Sequence, residues 1–192
     1  MTVKEYQNYC KKKLDTIYQE VEVEWNPFRG CRVNSKQYCP RLDMAIGPFA
    51  INGQFSEDYT ELLNEPRSKV FIESLIRANN QNITGVGDGD QSKISDFYSF
   101  NHNARCFMCV EIENKVSRKH IVGGLVNASA LGRVAVLIAW TPDKLKAFIK
   151  LKNYLKYLSS VEKNSFKTNN ILILNKDQFK NLVDSFVRRR TI

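Results

Sequence analysis

The chain has 192 residues, 43% hydrophobic and 11% aromatic, which suits one globular domain with a buried core and excludes a disordered chain. Its 29 Lys and Arg outnumber 20 Asp and Glu, a formal charge of +9 that favours a polyanionic partner, most simply nucleic acid. No apolar run approaches the roughly 18 residues of a membrane span, and MTVKEYQNYCKKK at the N-terminus has no signal-peptide core, so a soluble cytoplasmic protein without membrane contact is expected.

Residues 3–20 place Tyr6, Tyr9, Cys10, Leu14, Ile17 and Tyr18 at helical spacing. VEVEW (21–25) alternates as a half-exposed strand does, and NPFRGC then breaks regularity with Pro27 and Gly30. RLDMAIGPFAI (41–51) is apolar apart from Asp43 and predicts a strand ending at Gly47-Pro48. From 55 to 104 the pattern is mixed. A helix is expected around 68–79, followed by a loop at NITGVGDGDQSK (82–93), which lacks the G-x-x-x-x-G-K-[ST] spacing of a phosphate loop.

CFMCVEIENK (106–115) predicts a strand. Ser117 is placed to cap a helix over 118–131, with Gly132 as its C-terminal stop. RVAVLIAW (133–140) is a continuous apolar run, expected for a strand covered on both faces. Thr141-Pro142-Asp143 opens a helix to about 159, ILIL (171–174) is a short buried strand, and Asp177 begins a last helix ending near Val187. Strands alternating with helices predict an α/β fold with some parallel pairing.

Five cysteines and no export signal predict reduced thiols. Cys106 and Cys109 form a C-x-x-C, but inside a strand positions three apart face opposite sides, so buried thiols are expected rather than zinc.

The strand at 106–115 carries the chemistry. Alternation puts Phe107, Cys109, Glu111, Glu113 and Lys115 on one side, with Met108, Val110, Ile112 and Asn114 on the other. The first set starts apolar and turns acidic, as a sheet face does where it leaves the core for a cleft. Glu111 and Glu113 would have Cα atoms about 6.7 Å apart. Asp43, the sole acid of its apolar strand, is the candidate third carboxylate. Like charges 4 Å apart cost about 4 kcal/mol at an effective dielectric near 20, so such a cluster calls for a cation. Oxygen ligands suit Mg²⁺ or Mn²⁺.

Pro40-x-x-Asp43 followed by a strand with Glu111-x-Glu113-x-Lys115, then helix and strand, resembles the PD-(D/E)XK nuclease superfamily. The resemblance covers roughly 3–50 and 106–175. It implies a restriction-endonuclease-like core, a central mixed sheet of four to five strands flanked by helices, in a single domain over 1–192 with an insertion at about 55–104. It further implies an Mg²⁺- or Mn²⁺-dependent DNA endonuclease, with a homodimer as an open option. Asp43, Glu111 and Glu113 would hold the metal. Lys115 would orient the attacking water or share charge on the phosphate, with Lys119 in reserve. Lys119 and His120 would contact the DNA backbone, and Glu20 would add a supporting carboxylate. Members with E-x-E in place of E-x-K assign Glu111 and Glu113 as the metal-facing pair. Gly123 and Gly124 in the next helix are read as close-packing positions. The alternative is a nucleic-acid-binding or interaction module of the same fold that does not cut.

Overall fold

The first helix, α1 (Val3–Leu14), starts where Thr2 and Glu5 cap one another: Glu5 N donates to Thr2 Oγ1 at 3.2 Å and Thr2 N to Glu5 Oε2 at 2.7 Å. Lys11, Lys12 and Lys13 in its last turn oppose the helix dipole. The helix is shorter than the 3–20 periodicity predicts. Ile17 N and Tyr18 N both bond to Leu14 O, a turn that brings Tyr18 into the core. This computed structural model describes residues 1–28, 39–50, 55–87, 89–114, 118–165 and 167–188, without the side chains of Arg118 and Lys119. Lys115 and Ser117 therefore lie outside the described residues.

Five strands follow in chain order: β1 (Val21–Trp25), β2 (Leu42–Ile46), β3 (Cys106–Glu113), β4 (Gly132–Ala139) and β5 (Ile171–Asn175). They form one mixed sheet in the order β1-β2-β3-β4-β5, with the first two pairings antiparallel and the last two parallel. Every position of β4 is buried, as its apolar run requires. The parallel steps are bridged by α5 (Arg118–Leu131) and α6 (Pro142–Ser160), which cover one face with Ile121, Leu125, Ala128, Phe148 and Ile149. The other face is covered by α1, α3 (Pro66–Val86) and α7 (Lys176–Arg188), with α2 (Ser56–Asn64) and the single turn α4 (Ser95–Tyr98) beside them. The protein is thus α/β, a five-stranded mixed sheet between helical layers. Among the described residues no helix is long and apolar enough to cross a membrane.

The segment 55–104, expected as an insertion, supplies Tyr59, Leu63, Phe71, Ile72, Leu75 and Phe97 to that second layer. Its long helix runs on to Val86, through the first part of the predicted loop, and stops at Gly87 with φ 73°, the left-handed cap that glycine adopts freely. Asn79 and Asn82, loop formers by composition, are helical because β5 uses them. Ile173 N donates to Asn79 Oδ1 and Asn82 Nδ2 donates to Ile173 O, both at 2.9 Å, so the outer edge of the sheet is closed by side-chain amides.

Three local expectations are corrected. Gly132 opens β4 directly after α5 instead of serving as a helix stop. A Cβ there would lie 2.7 Å from Cys109 Cβ and 2.7 Å from Val134 O, so glycine is required by close strand approach. Phe107 packs with Met108 and Val110, not with Cys109, while Cys106 shares Cys109's cluster. The alternation therefore slips by one between Phe107 and Met108. In consequence the Cys106 and Cys109 thiols lie on one side, both free and fully buried, with Cys106 Sγ donating to Leu131 O at 3.5 Å. Lastly, the apolar run of β4 hides a cation: Arg133 is fully buried and donates to Tyr98 O at 3.1 Å and to His102 Nδ1 at 3.1 Å.

Candidate active site: an acidic cleft at the sheet rim

The β2–β3 register pairs Met44 with Val110 and Ala45 with Cys109, which sets Asp43 opposite Glu111. Two acids far apart in the chain are thereby brought to the same rung. The Asp43 carboxylate is held on both oxygens. Oδ2 accepts from Ile112 N at 2.6 Å, and Oδ1 accepts from the side-chain amide of Gln7 at 2.8 Å. Asp43 and Glu111 are within hydrogen-bonding reach of one another, which for two carboxyls requires a shared proton. Glu111 Oε1 is buried and has no hydrogen-bond partner.

Burial raises the Asp43 pKa, partly offset by the Ile112 N–H. Burial raises that of Glu111 well above the usual carboxylate range, reinforced by the charge of Asp43 and then by those of Glu24 and Glu113. The two groups titrate as a pair. Such a pair is what a low-dielectric acid cluster does without a cation: it keeps a proton instead of a second charge.

Glu113, two rungs further along β3, is buried at 8% exposure and acts electrostatically on both Asp43 and Glu111. Its approach does not complete an ion shell. Among the described residues no group of three or more His, Cys, Asp or Glu side chains could hold a metal. Two of the three expected carboxylates meet, and the third stands beside them. In kind the donors fit a hard dication, being carboxylate oxygens with one buried atom left open.

Two further members were not foreseen. Gln7 is a polar residue on the buried stripe of α1, only 4% exposed, and its amide bridges Asp43 to Glu24 Oε1 at 3.4 Å. A lone amide among apolar positions was the available signal. Glu24 sits on β1 across from Asp43, at the one rung where the β1–β2 pairing is skipped, with φ at 51°. A non-glycine residue in that region costs about 1–3 kcal/mol and is found where local structure enforces it. Here the backbone kink turns an acid toward the cleft instead of continuing the ladder.

The cleft has a volume of about 860 Å³, with these four acids and Arg41 on its β side and Lys4 and Gln7 of α1 beside them. His120, Gly123, Gly124 and Asn127 of α5 and Phe148 of α6 line the remainder. Gly123 has nothing within 4 Å of a hypothetical Cβ and Gly124 only Glu111 Cβ at 3.9 Å, so close packing is not their reason. Their effect is to leave the cleft wall low beside Glu111. His120 is exposed at the cleft. Lys115 and the Lys119 side chain, both expected here, lie outside the described residues. Glu20 does not join the site: it follows α1, its side chain lies against Gly47, and it lines a different cavity. Comparison with protein-family models, curated proteins and solved structures finds no match.

Proposed function

We propose that the chain is an Mg²⁺- or Mn²⁺-dependent nuclease of the PD-(D/E)XK type that hydrolyses phosphodiester bonds in DNA. The observation that carries this reading is the half-buried Asp43–Glu111 pair, with the buried Glu111 Oε1 unpartnered in a cleft that a phosphate backbone could enter. Structural proteins avoid burying two carboxyls together without a cation, whereas metal-dependent hydrolases need that arrangement. The order α1-β1-β2-β3-α5-β4, with an aspartate on β2 and E-x-E on β3, supports the same reading. Asp43 beside Glu111 favours the E-x-E assignment over E-x-K.

Asp43 and Glu111 would hold the metal, with Glu113 joining them. A bound Mg²⁺ supplies charge neutralisation and lowers the pKa of a coordinated water. Gln7 keeps Asp43 oriented through Oδ1, and Ile112 N does so through Oδ2. Lys115 would orient the attacking water, while His120 and Lys119 at the start of α5 would contact the phosphate backbone, where a helix N-terminus favours anions. The solvent face of α6 carries exposed Lys146 and Lys150, then Tyr154 and Tyr157 at 56% and 61% exposure. Lysines for phosphates and tyrosines for stacking suit a nucleic-acid track.

The test is nicking of supercoiled plasmid. Conversion in Mg²⁺ that stops in EDTA and in Asp43→Ala supports the reading. Intact plasmid in Mg²⁺ and Mn²⁺ refutes it. The second reading, a nucleic-acid-binding module that does not cut, is favoured by one observation: three acids do not gather into an ion shell among the described residues. Salt-dependent binding without cleavage would select it.

A further inference from the structure

A second cavity, of about 620 Å³, lies between the turn after α1, the Gly47-Pro48 end of β2 and the α2–α3 corner. Its volume is in the range of about 300–1,000 Å³ typical of ligand pockets. Glu20, Asp58, Glu61 and Glu65 line it, against one cation, Arg67. In a chain of net charge +9 this is a local inversion of sign. Glu65 is occupied as the cap of α3, accepting from Arg67 N at 3.1 Å and Ser68 N at 2.5 Å. The side chains of Glu20, Asp58 and Glu61 make no hydrogen bond or ion pair among the described residues.

Exposed acids alone would be ordinary surface. Two buried atoms make the difference. The Tyr18 hydroxyl, on a side chain 5% exposed, lies near Ser68 but makes no well-formed hydrogen bond, and Arg67 Nη2 has no hydrogen-bond partner. Burial pushes the Tyr18 phenol up to about 12, so it stays protonated. Arg67 is fixed by its guanidinium lying 5.1 Å from the Phe186 ring centre. Orphaned buried donors are costly, and a ligand that satisfies them gains accordingly.

The complement of this cavity has a cation for the carboxylates and an acceptor for Arg67, which can only donate. A free polyamine supplies the first and not the second. A basic residue within a polypeptide supplies both. We infer that the cavity takes an arginine or lysine side chain of a partner polypeptide, its cation among Glu20, Asp58 and Glu61 and a backbone carbonyl at Tyr18 and Arg67. This inference is independent of the nuclease reading.

The experiment is calorimetric titration of the full chain with N-acetyl-Gly-Arg-Gly-amide, its norleucine counterpart and spermidine. Saturable binding of the arginine peptide and none of the norleucine peptide is expected. Asp58→Asn with Glu61→Gln, both exposed positions, should weaken it at least tenfold with the melting curve unchanged. Tyr18→Phe should weaken it by about fivefold. No saturation by about 10 mM, in the weak millimolar regime, overturns the inference. So does equal binding by the double variant, or spermidine binding as tight as the peptide's.

Discussion

Replacing Glu111 by glutamine should make the metal-free protein more stable at alkaline pH while abolishing its proposed chemistry. Glu111 is raised well above the usual carboxylate range by burial and by Asp43, so the folded state binds its proton more tightly than the unfolded chain does. A raised folded-state value means stability is complete below the unfolded value, about 4.3 for glutamate, and is lost as pH rises through the folded one. Each unit of elevation costs about 1.4 kcal/mol once the pH exceeds it. Two bare charges 4 Å apart would cost about 4 kcal/mol at an effective dielectric near 20. The Ile112 and Gln7 donors to Asp43 offset part of this. A gain of about 1–2 kcal/mol at pH 8 follows for Glu111→Gln, or about 2–8 °C in Tm for a chain of this size. At pH 4 the two proteins should melt together. Mg²⁺ at about 100 times its dissociation constant should add about 2.7 kcal/mol to the native protein and nothing to the variant. Differential scanning calorimetry across pH, with and without Mg²⁺, reads all of this. Parallel pH profiles for the two proteins would refute the shared-proton pair.

Gly132→Ala places a methyl group 2.7 Å from Cys109 Cβ and from Val134 O, so thermal melting should show a loss of about 1–3 kcal/mol or more. Asn79→Ala strands the Ile173 N–H at the β5 edge, and chemical denaturation should report a loss of about 1–3 kcal/mol. Lys146→Gln and Lys150→Gln should leave melting unchanged and weaken DNA binding alike across sequences. Each should reduce the log–log salt slope by about 0.9.

What could be read in advance was mainly local. Thr141-Pro142 begins α6 because a cap and a fixed φ act within one turn: Lys144 N donates to Thr141 Oγ1. The runs of β4 and β5 are buried on both faces and declare themselves by composition. Asp43 was visible as one acid in an apolar strand, and its partner Glu111 as an acid leaving the core. Their meeting depends on the β2–β3 register, fixed across a long intervening segment that no local pattern constrains. Glu24 escaped because VEVEW alternates perfectly on paper, while the real strand skips a rung there and turns left-handed. Phe107 was misplaced for a related reason, since a one-residue slip in the strand flips every side chain before it. Asn82 falls in the predicted loop and Asn79 at the end of the predicted helix because their value lies in what β5 needs, not in helix propensity.

If Asp43 and Glu111 hold a divalent cation as proposed, Mn²⁺ reports on that site most directly. Crystals grown with Mn²⁺ and measured at its absorption edge should show an anomalous peak between the two carboxylates, lost in Asp43→Asn. Ordered carboxylates with no anomalous density between them, at Mn²⁺ concentrations well above millimolar, would contradict it.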